Sequence, residues 1–393
     1  MAMINALFRR MLMSPMNLRK MAVLLLALLV IYFPGWCARS AVSRQSEAQQ
    51  TEEKEDSSSK KTSGLHVLPI IDYSPETSWG FGVAGISYFQ LSKGKVLERP
   101  SNIVMKATYT LNKQFSLEVN PDLYFRDGYH ALVFFNYSDY PSKLWGIGND
   151  TPASLEEDYT SRYWKFTAQP LKRVYRSLNL GFQYHYSDTA VIEVQEGGEL
   201  AAGTVPGSSG GAVSGLGFLM NWDSRDSIFF PTKGSFHQFS VTSYGQALGS
   251  DFSFSLFSLD ARKYFTLSAS QVLGLAARVA FETGNPPFWA MSLLGGDSIM
   301  RGYYLGRYRD KNMISWQVEY RWTPAVWRLG VVAFLGFGDV ADKVANFKLD
   351  EFKYSLGFGL RYVLNKDQHL NIRLDFGFGK GNSGVYLTGG EAF

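Results

Sequence analysis

Few residues of this chain stand in patterns that chemistry would need. Gly207-Ser208-Ser209-Gly210-Gly211 fits the GxSxG spacing of a serine nucleophile. That motif works where a strand turns sharply into a helix and strains the serine outward. Here the neighbours are Gly, Ser and Ala, and they predict a loop. Gly379-Lys380-Gly381-Asn382-Ser383-Gly384 fits GxGxxG. No helix follows to offer its N-terminus to a pyrophosphate, so the segment reads as a hairpin turn. His66, His130, His185, His237 and His369 are far apart in sequence and form no ligand pair. Asp223 and Asp226 could act as paired carboxylates, but Arg225 between them makes a turn network the simpler reading. No nucleophile–base arrangement stands out. The expectation is therefore no enzyme, no cofactor and no metal, and the single Cys leaves no disulfide framework or cysteine-ligated zinc.

The elements that carry these residues follow from composition and periodicity. The chain has 393 residues, of which 46% are apolar, 15% aromatic and 19% charged, with 38 Gly and 14 Pro. That excludes a disordered chain and a bundle of membrane-spanning helices. The net charge of +4 comes from the N-terminus. Arg9, Arg10, Arg19, Lys20 and Arg39 lie in residues 1–41 with no Asp or Glu, which leaves 34 basic against 35 acidic residues beyond them. A nucleic-acid partner would call for a basic surplus, and none is expected.

From residue 65 onward, apolar and polar residues alternate. Leu178, Leu180, Phe182, Tyr184 and Tyr186 share one parity, and Asn179, Gly181, Gln183 and His185 the other. Ile314–Trp322, Phe352–Tyr362 and Leu370–Phe378 behave alike, with Glu319, Arg361, Arg373 and Asp375 on the polar side. Period two means strands with one greasy and one wet face. The runs are longer than the usual strand of a soluble sandwich and match the ~9–11 residues of a tilted transmembrane strand. Lipid offers no hydrogen bonds, so such strands must close into a barrel. Strands are expected near 65–73, 78–91, 101–112, 115–125, 128–138, 158–170, 176–188, 213–223, 233–245, 251–265, 271–283, 311–323, 326–338, 352–363, 368–379 and 383–393. The fold class is all-β, a sixteen-stranded antiparallel transmembrane barrel. With the N-terminus in the periplasm, most long connections (139–157, 189–212, 284–310, 339–351) face outward. The exception is 224–232. Two strands fit poorly: 251–265 changes parity midway, and 326–338 is apolar on both faces.

The N-terminus reads as a signal peptide over residues 1–41. Arg19 and Lys20 precede the apolar run Met21–Phe33, Pro34 and Gly35 break it, and small residues follow. A retained inner-membrane anchor would need a longer run, and Trp36 before Cys37 speaks against a lipoprotein acceptor. Residues 42–64 are almost wholly polar and read as a disordered linker. Residues 65–393 form the barrel, and the expected location is the bacterial outer membrane after export.

Several segments resemble a known family. Leu294-Gly295-Gly296 followed by Met300-Arg301-Gly302-Tyr303 resembles the sixth-loop motif of the BamA/TamA family of bacterial surface antigens, and falls between expected strands eleven and twelve. Trp222-Asp223-Ser224-Arg225-Asp226, then Pro231 and Gly234, resembles that family's periplasmic turn motif. Phe337-Gly338-Asp339-Val340 is similar to its FxDxG strand motif, with Ala341 in place of the glycine. The stretch from Gly384 through Tyr386 to Phe393 resembles the C-terminal strand read by the barrel-insertion machinery. The resemblance implies that the sixth extracellular loop folds inward and that Arg301, with Gly302 and Tyr303, tethers it through Asp339, with Glu319 nearby. It also implies a barrel-only branch of the family, because only a polar tail precedes the barrel where POTRA domains would stand.

The functional expectation that follows is assembly or translocation of proteins at the outer membrane. A seam between first and last strands would serve as a template for incoming strands. Partners would be outer-membrane lipid, unfolded outer-membrane or surface proteins and the insertion machinery. The alternative is a passive channel or a membrane-anchored structural barrel without client insertion. A barrel enzyme is the third and weakest reading.

Overall fold

The computed structural model describes residues 64–91, 101–228, 230–326, 328–365 and 370–393. The expected signal peptide and the linker up to residue 63 lie outside the described residues. The strands, in chain order, are β1 (Gly64–Ser74), β2 (Ser78–Phe89), β3 (Ser101–Thr110), β4 (Phe115–Tyr124), β5 (Tyr129–Leu144), β6 (Glu157–Tyr175), β7 (Leu178–Val194), β8 (Gly211–Asp223), β9 (Gly234–Tyr244), β10 (Phe254–Ser268), β11 (Gln271–Gly284), β12 (Ser292–Leu294), β13 (Tyr308–Asp310), β14 (Asn312–Val326), β15 (Leu329–Ala341), β16 (Lys353–Asn365), β17 (Leu370–Gly379) and β18 (Asn382–Gly389). Sixteen of them close into one antiparallel barrel. β12 and β13 stand apart as a short hairpin within the connection from β11 to β14.

The alternation in sequence becomes inside and outside. On β16, Tyr354, Leu356, Phe358 and Leu360 are exposed, while Ser355 and Arg361 between and beyond them are buried. The exposed residues form the surface a bilayer covers. The backbone needs little water there, because the strands hydrogen-bond to one another around the closed barrel, most sparsely between β1 and β18.

Both irregular strands have a physical cause. β15 is apolar on both faces because its inward residues Val332 and Phe334 are covered from inside, each only 3% exposed. β10 begins at Phe254 rather than at 251, and its apolar residues change face within the strand, with Phe254 and Leu256 packed inside and Phe257 exposed. Its inward Phe254 packs on Val213 and Tyr244 in an apolar cluster at the upper end of the lumen.

The strands differ from the expected ones mainly in length. β6 gains five residues at its periplasmic end over 158–170, and β5 and β7 run six residues further at their extracellular ends than 128–138 and 176–188. Pairing continues there through Lys143–Asp158, Leu144–Glu157 and Thr160–Glu193. Beyond the membrane both faces meet water, so alternation fades while the ladder persists. The last strand ends at Gly389, short of the expected 393. The long periplasmic connection after β8 is a closed turn. Asp223 accepts from the Arg225 amide and guanidinium, and the Asp226 carboxylate accepts from the amides of Ser227, Thr232 and Lys233. Burial works against the Asp226 charge, but the Thr232 hydroxyl and these amides hold its carboxyl below the usual range. Gly234 has φ 93°, and a Cβ there would sit 2.1 Å from the Ser224 carbonyl oxygen. Glycine is therefore required at that position.

Leu335→Arg places a charge on the lipid face of β15. In vesicles it is expected to lower the unfolding free energy by about 2–4 kcal/mol if this position lies near the bilayer midplane. A urea titration checks this, and an unchanged midpoint would place Leu335 away from lipid.

Candidate functional site

The connection from β11 to β14 is built to lie against the inside of the barrel. Its short hairpin aligns Ser292 with Asp310 and Leu294 with Tyr308. Gly295 (φ 121°) lies where a Cβ would be 2.0 Å from the Tyr304 carbonyl oxygen, and a single helical turn follows, Gly296–Ile299. Leu294, Met300, Tyr303 and Tyr308 bury themselves against Met313 of β14 and Val340 of β15. This apolar patch fixes the loop's upper part and delivers Arg301 to the middle of the wall.

Arg301 is fully buried. One guanidinium nitrogen donates to Glu319 Oε2 of β14 at 2.5 Å, and another to Asp375 Oδ2 of β17 at 2.7 Å. The guanidinium carbon lies 3.5 Å from the centroid of the Phe334 ring. That contact explains why β15 places an aromatic residue inward. The two acids are shared. Glu319 Oε1 accepts from Arg321 at 2.6 Å, and Asp375 Oδ1 accepts from Arg361 at 2.5 Å. Arg373 reaches Asp297 of the loop at 2.5 Å and Asp375 at 3.3 Å. Arg361 also donates to Glu391 at 2.8 Å. Four arginines thus meet four carboxylates, and apart from Asp297 all their side chains are buried.

The neighbouring backbone shapes itself to the loop. Gly302 (φ 104°) approaches β17 so closely that a Cβ on it would lie 2.8 Å from the Phe378 amide nitrogen. A Cβ on Gly379 would lie 2.3 Å from the Tyr303 ring. Tyr303 donates its hydroxyl to the Tyr354 carbonyl, and the Lys380 amide donates to that same hydroxyl. Tyr386 of β18 accepts from the Gly302 amide at 3.1 Å and donates to the Tyr303 carbonyl at 3.2 Å.

The expected pairing of Arg301 with Asp339 does not occur. Asp339 is buried, but its neighbours are Asn149 at 3.3 Å and Lys353 at 3.9 Å. The reason is height along the barrel. Glu319 stands opposite Phe334 in the β14–β15 register, and Asp339 lies five residues further up β15. At ~3.3 Å per residue that is roughly 17 Å. Asp375 occupies the level Asp339 was expected to hold.

The C-terminal residues end inside the barrel. Tyr386 faces the lumen, and Phe393 is only 4% exposed, packed on Tyr264, Val272 and Ala276. Neither lies on the lipid face. After Gly389 the chain turns inward. Glu391 meets Arg361 and Asn371, and the Phe393 carbonyl oxygen accepts from Arg321 at 2.9 Å. Arg321 also reaches the Pro231 carbonyl at 3.5 Å, so the turn carrying Trp222, Asp223, Arg225, Asp226, Pro231 and Gly234 touches the same network. At the seam between β1 and β18, the residues in register are Tyr73 and Leu387. By contrast, β1 and β2 pair along their whole length, from Gly64–Tyr88 to Ser74–Ser78.

Across the lumen from these charges remains a cavity of about 550 Å³. Hydroxyl and amide side chains of β3 to β7 line it, among them Thr108, Asn120, Ser138 and Tyr163, with Tyr304 and Arg309 of the loop as one wall. At its top, in the turn between β1 and β2, the Glu76 carboxylate accepts from the Leu305 amide at 2.6 Å. Glu76 is 6% exposed, and burial pushes its carboxyl above the usual range.

The model of the Omp85 superfamily domain matches residues 96–393. Among solved structures, BamA from Haemophilus ducreyi lacking POTRA domains 1–3 superposes with a TM-score of 0.58 at 13% identity, over 84% of this chain and 70% of that one. CdiB from Acinetobacter baumannii gives 0.57 at 13% identity, over 83% of this chain and 59% of that one. CdiB from Escherichia coli gives 0.54 at 10% identity, over 82% and 62%. This chain thus spans less than two thirds of either CdiB protein, and at these identities the likeness concerns fold. No curated protein sequence matches the chain.

Two predictions follow from the geometry. Asp375→Ala leaves Arg301, Arg361 and Arg373 short of a carboxylate and is expected to cost about 3–5 kcal/mol. Asp339→Ala should cost clearly less. Cold SDS gels over a temperature series check the order, and equal loss of folded barrel would contradict it. Glu76 provides the second test. A carboxyl raised in the folded state gives its full support below the unfolded value near 4.5 and loses it as pH rises through the folded value. Glu76→Gln keeps an acceptor for Leu305 without the charge. It should reduce the gain in stability that wild type shows on acidification from pH 7 toward 4.5, and a variant with the full wild-type slope would count against a contribution from Glu76.

Proposed function

This chain belongs to the Omp85 superfamily, and from that premise we propose that it is an outer-membrane barrel that helps assemble or translocate other proteins through its β1–β18 seam. Export by the signal peptide of residues 1–41 would bring it to the periplasm, with residues 42–64 as a polar leader to the barrel. Tyr386 and Phe393 would be read by the insertion machinery before closure, and only afterwards turn into the lumen.

The observation that carries the reading is the seam itself. β1 and β18 share register at Tyr73 and Leu387, and the chain beyond Gly389 leaves the wall for the lumen. The backbone groups of β1 that β18 does not cover are a template for another extended chain. Pro69 in β1 cannot donate to a ladder, which further loosens the native pairing. Arg301, Gly302 and Tyr303 act as a tether. With Glu319 and Asp375 they hold the sixth loop to β14 and β17, and Tyr386 ties the same loop to β18. The periplasmic turn around Asp223, Arg225 and Asp226 is a stiff base for the strands below. In this reading the wall opens at the seam while the tether keeps the adjoining wall from β14 to β18 rigid.

A second reading, passive conduction, draws on the polar cavity beside the loop. Planar bilayers distinguish it. Steady conductance by wild type that leaves cellular barrel levels untouched on depletion favours the channel.

The decisive test is to lock the seam. Cysteines replacing Tyr73 and Leu387 should form a disulfide under oxidation, since their backbones are already in register. Locked protein is expected to lower the level of other outer-membrane or surface proteins in a depletion strain, with recovery on reduction. Wild-type levels of every such protein with the seam locked would refute the proposal.

A further inference from the structure

The three longest strands distribute their charge unevenly along the barrel axis. At their extracellular ends, residues 139–162 hold Asp139, Asp150, Glu156, Glu157 and Asp158 against Lys143 and Arg162. Residues 187–199 hold four acids and no Lys or Arg. At the opposite ends, the turn before β5 and the end of β6 gather Arg126, Lys172, Arg173 and Arg176 around one acid, Asp127. The periplasmic turn of residues 223–233, by contrast, is balanced, with Asp223 paired to Arg225 and with Asp226 and Lys233.

These cations sit together at the water boundary. β5 and β6 align Tyr129 with Lys172, which brings the turn Arg126–Gly128 beside the end of β6. Lys172 donates to the Asp127 carbonyl, and its ammonium lies 3.7 Å from the centroid of the Tyr129 ring. The Arg176 guanidinium lies 5.3 Å from the Tyr175 ring. Tyr129 and Tyr175 are 55% and 58% exposed. Amphipathic rings of this kind settle at headgroup level. Arg173 packs across Gly128 (φ 75°), where a Cβ would lie 3.2 Å from its own. A second observation concerns Arg176, whose φ is 43°. In such a two-residue turn Gly or Asn would sit without strain. An arginine held there against its backbone preference fixes a cation at the tip of the hairpin.

We propose that this cluster is a binding site for the phosphate headgroups of anionic phospholipids in the periplasmic leaflet. An arginine fork matches a phosphate diester in geometry and charge. The tyrosines set the depth at which the cations meet it. The site lies on strands far from the β1–β18 seam in barrel order, so it stands independently of the assembly reading. It would bias the lipid shell and the orientation of the barrel beside β5, β6 and β7.

The test uses the full chain in phosphatidylcholine vesicles with spin-labelled phosphatidylglycerol or phosphatidylcholine as probe. The motionally restricted fraction gives relative association. Wild type should prefer phosphatidylglycerol severalfold, and added salt should erode the preference. Removing one cation should weaken it by up to about fivefold. Arg126, Lys172, Arg173 and Arg176 replaced together by Gln should bring it to parity. Arg162→Gln, at the other end of β6, should leave it intact. If the fourfold variant does not fold, Lys172→Gln and Arg176→Gln singly carry the test. A wild type without preference, or folded variants that keep it in full, would overturn the proposal.

Discussion

The inside of this barrel is organised by the need to bury arginines without leaving a charge unmatched. Arg301, Arg321 and Arg361 are each fully removed from solvent. An isolated buried charge is severely penalised unless a counter-charge is paired with it. Glu319 and Asp375 meet that demand by serving several arginines each, one oxygen toward the loop and the other toward the wall. The loop, β14, β16, β17 and the residues after β18 all contribute. None can shift alone without stranding a charge contributed by another.

The backbone had to make room for this cluster. Gly377 and Gly379 on β17 face the loop, and Gly302 faces β17. Side chains at any of these positions would lift the loop off the wall and take Arg301 out of reach of Asp375. The inward aromatic Phe334 belongs to the same arrangement, since it presents a ring face to the guanidinium where a polar residue would have competed for it. What looks in sequence like a defect of alternation on β15 is a condition of the loop's seat.

Much of the wall was legible in the sequence because lipid and lumen impose opposite polarities at period two. Strand number followed from it, as did the inward parity of Glu319, Arg361, Arg373 and Asp375. Which of these carboxylates Arg301 would reach was not legible. Parity says which face a residue is on, and not how high it stands, while the loop's depth is set by Leu294, Met300 and Tyr303 packing on Met313 and Val340. Asp339 has the right face and the wrong height. The extracellular extensions of β5 and β7 escaped for another reason, since water on both faces erases the pattern but spares the ladder. Residues 390–393 read as strand because Ala392 and Phe393 suit one, and nothing local reveals that Glu391 is needed elsewhere.

That last point links the charge cluster to the loose seam. Residues 390–393 face two incompatible demands. Extended, they would prolong β18 and offer β1 more backbone to pair with. Turned inward, they bring Glu391 to Arg361 and the Phe393 carbonyl to Arg321. A few edge hydrogen bonds are worth about 1 kcal/mol each, net of water. Taking the Glu391 carboxylate away from buried Arg361 and from Arg321, 3.8 Å from it, costs more. The inward turn therefore wins, and electrostatics inside the barrel, together with Pro69 in β1, keeps the pairing of β1 with β18 sparse. An incoming chain that offered β1 a longer partner would meet little competition from β18, because the residues that could have completed that ladder are already engaged in the lumen.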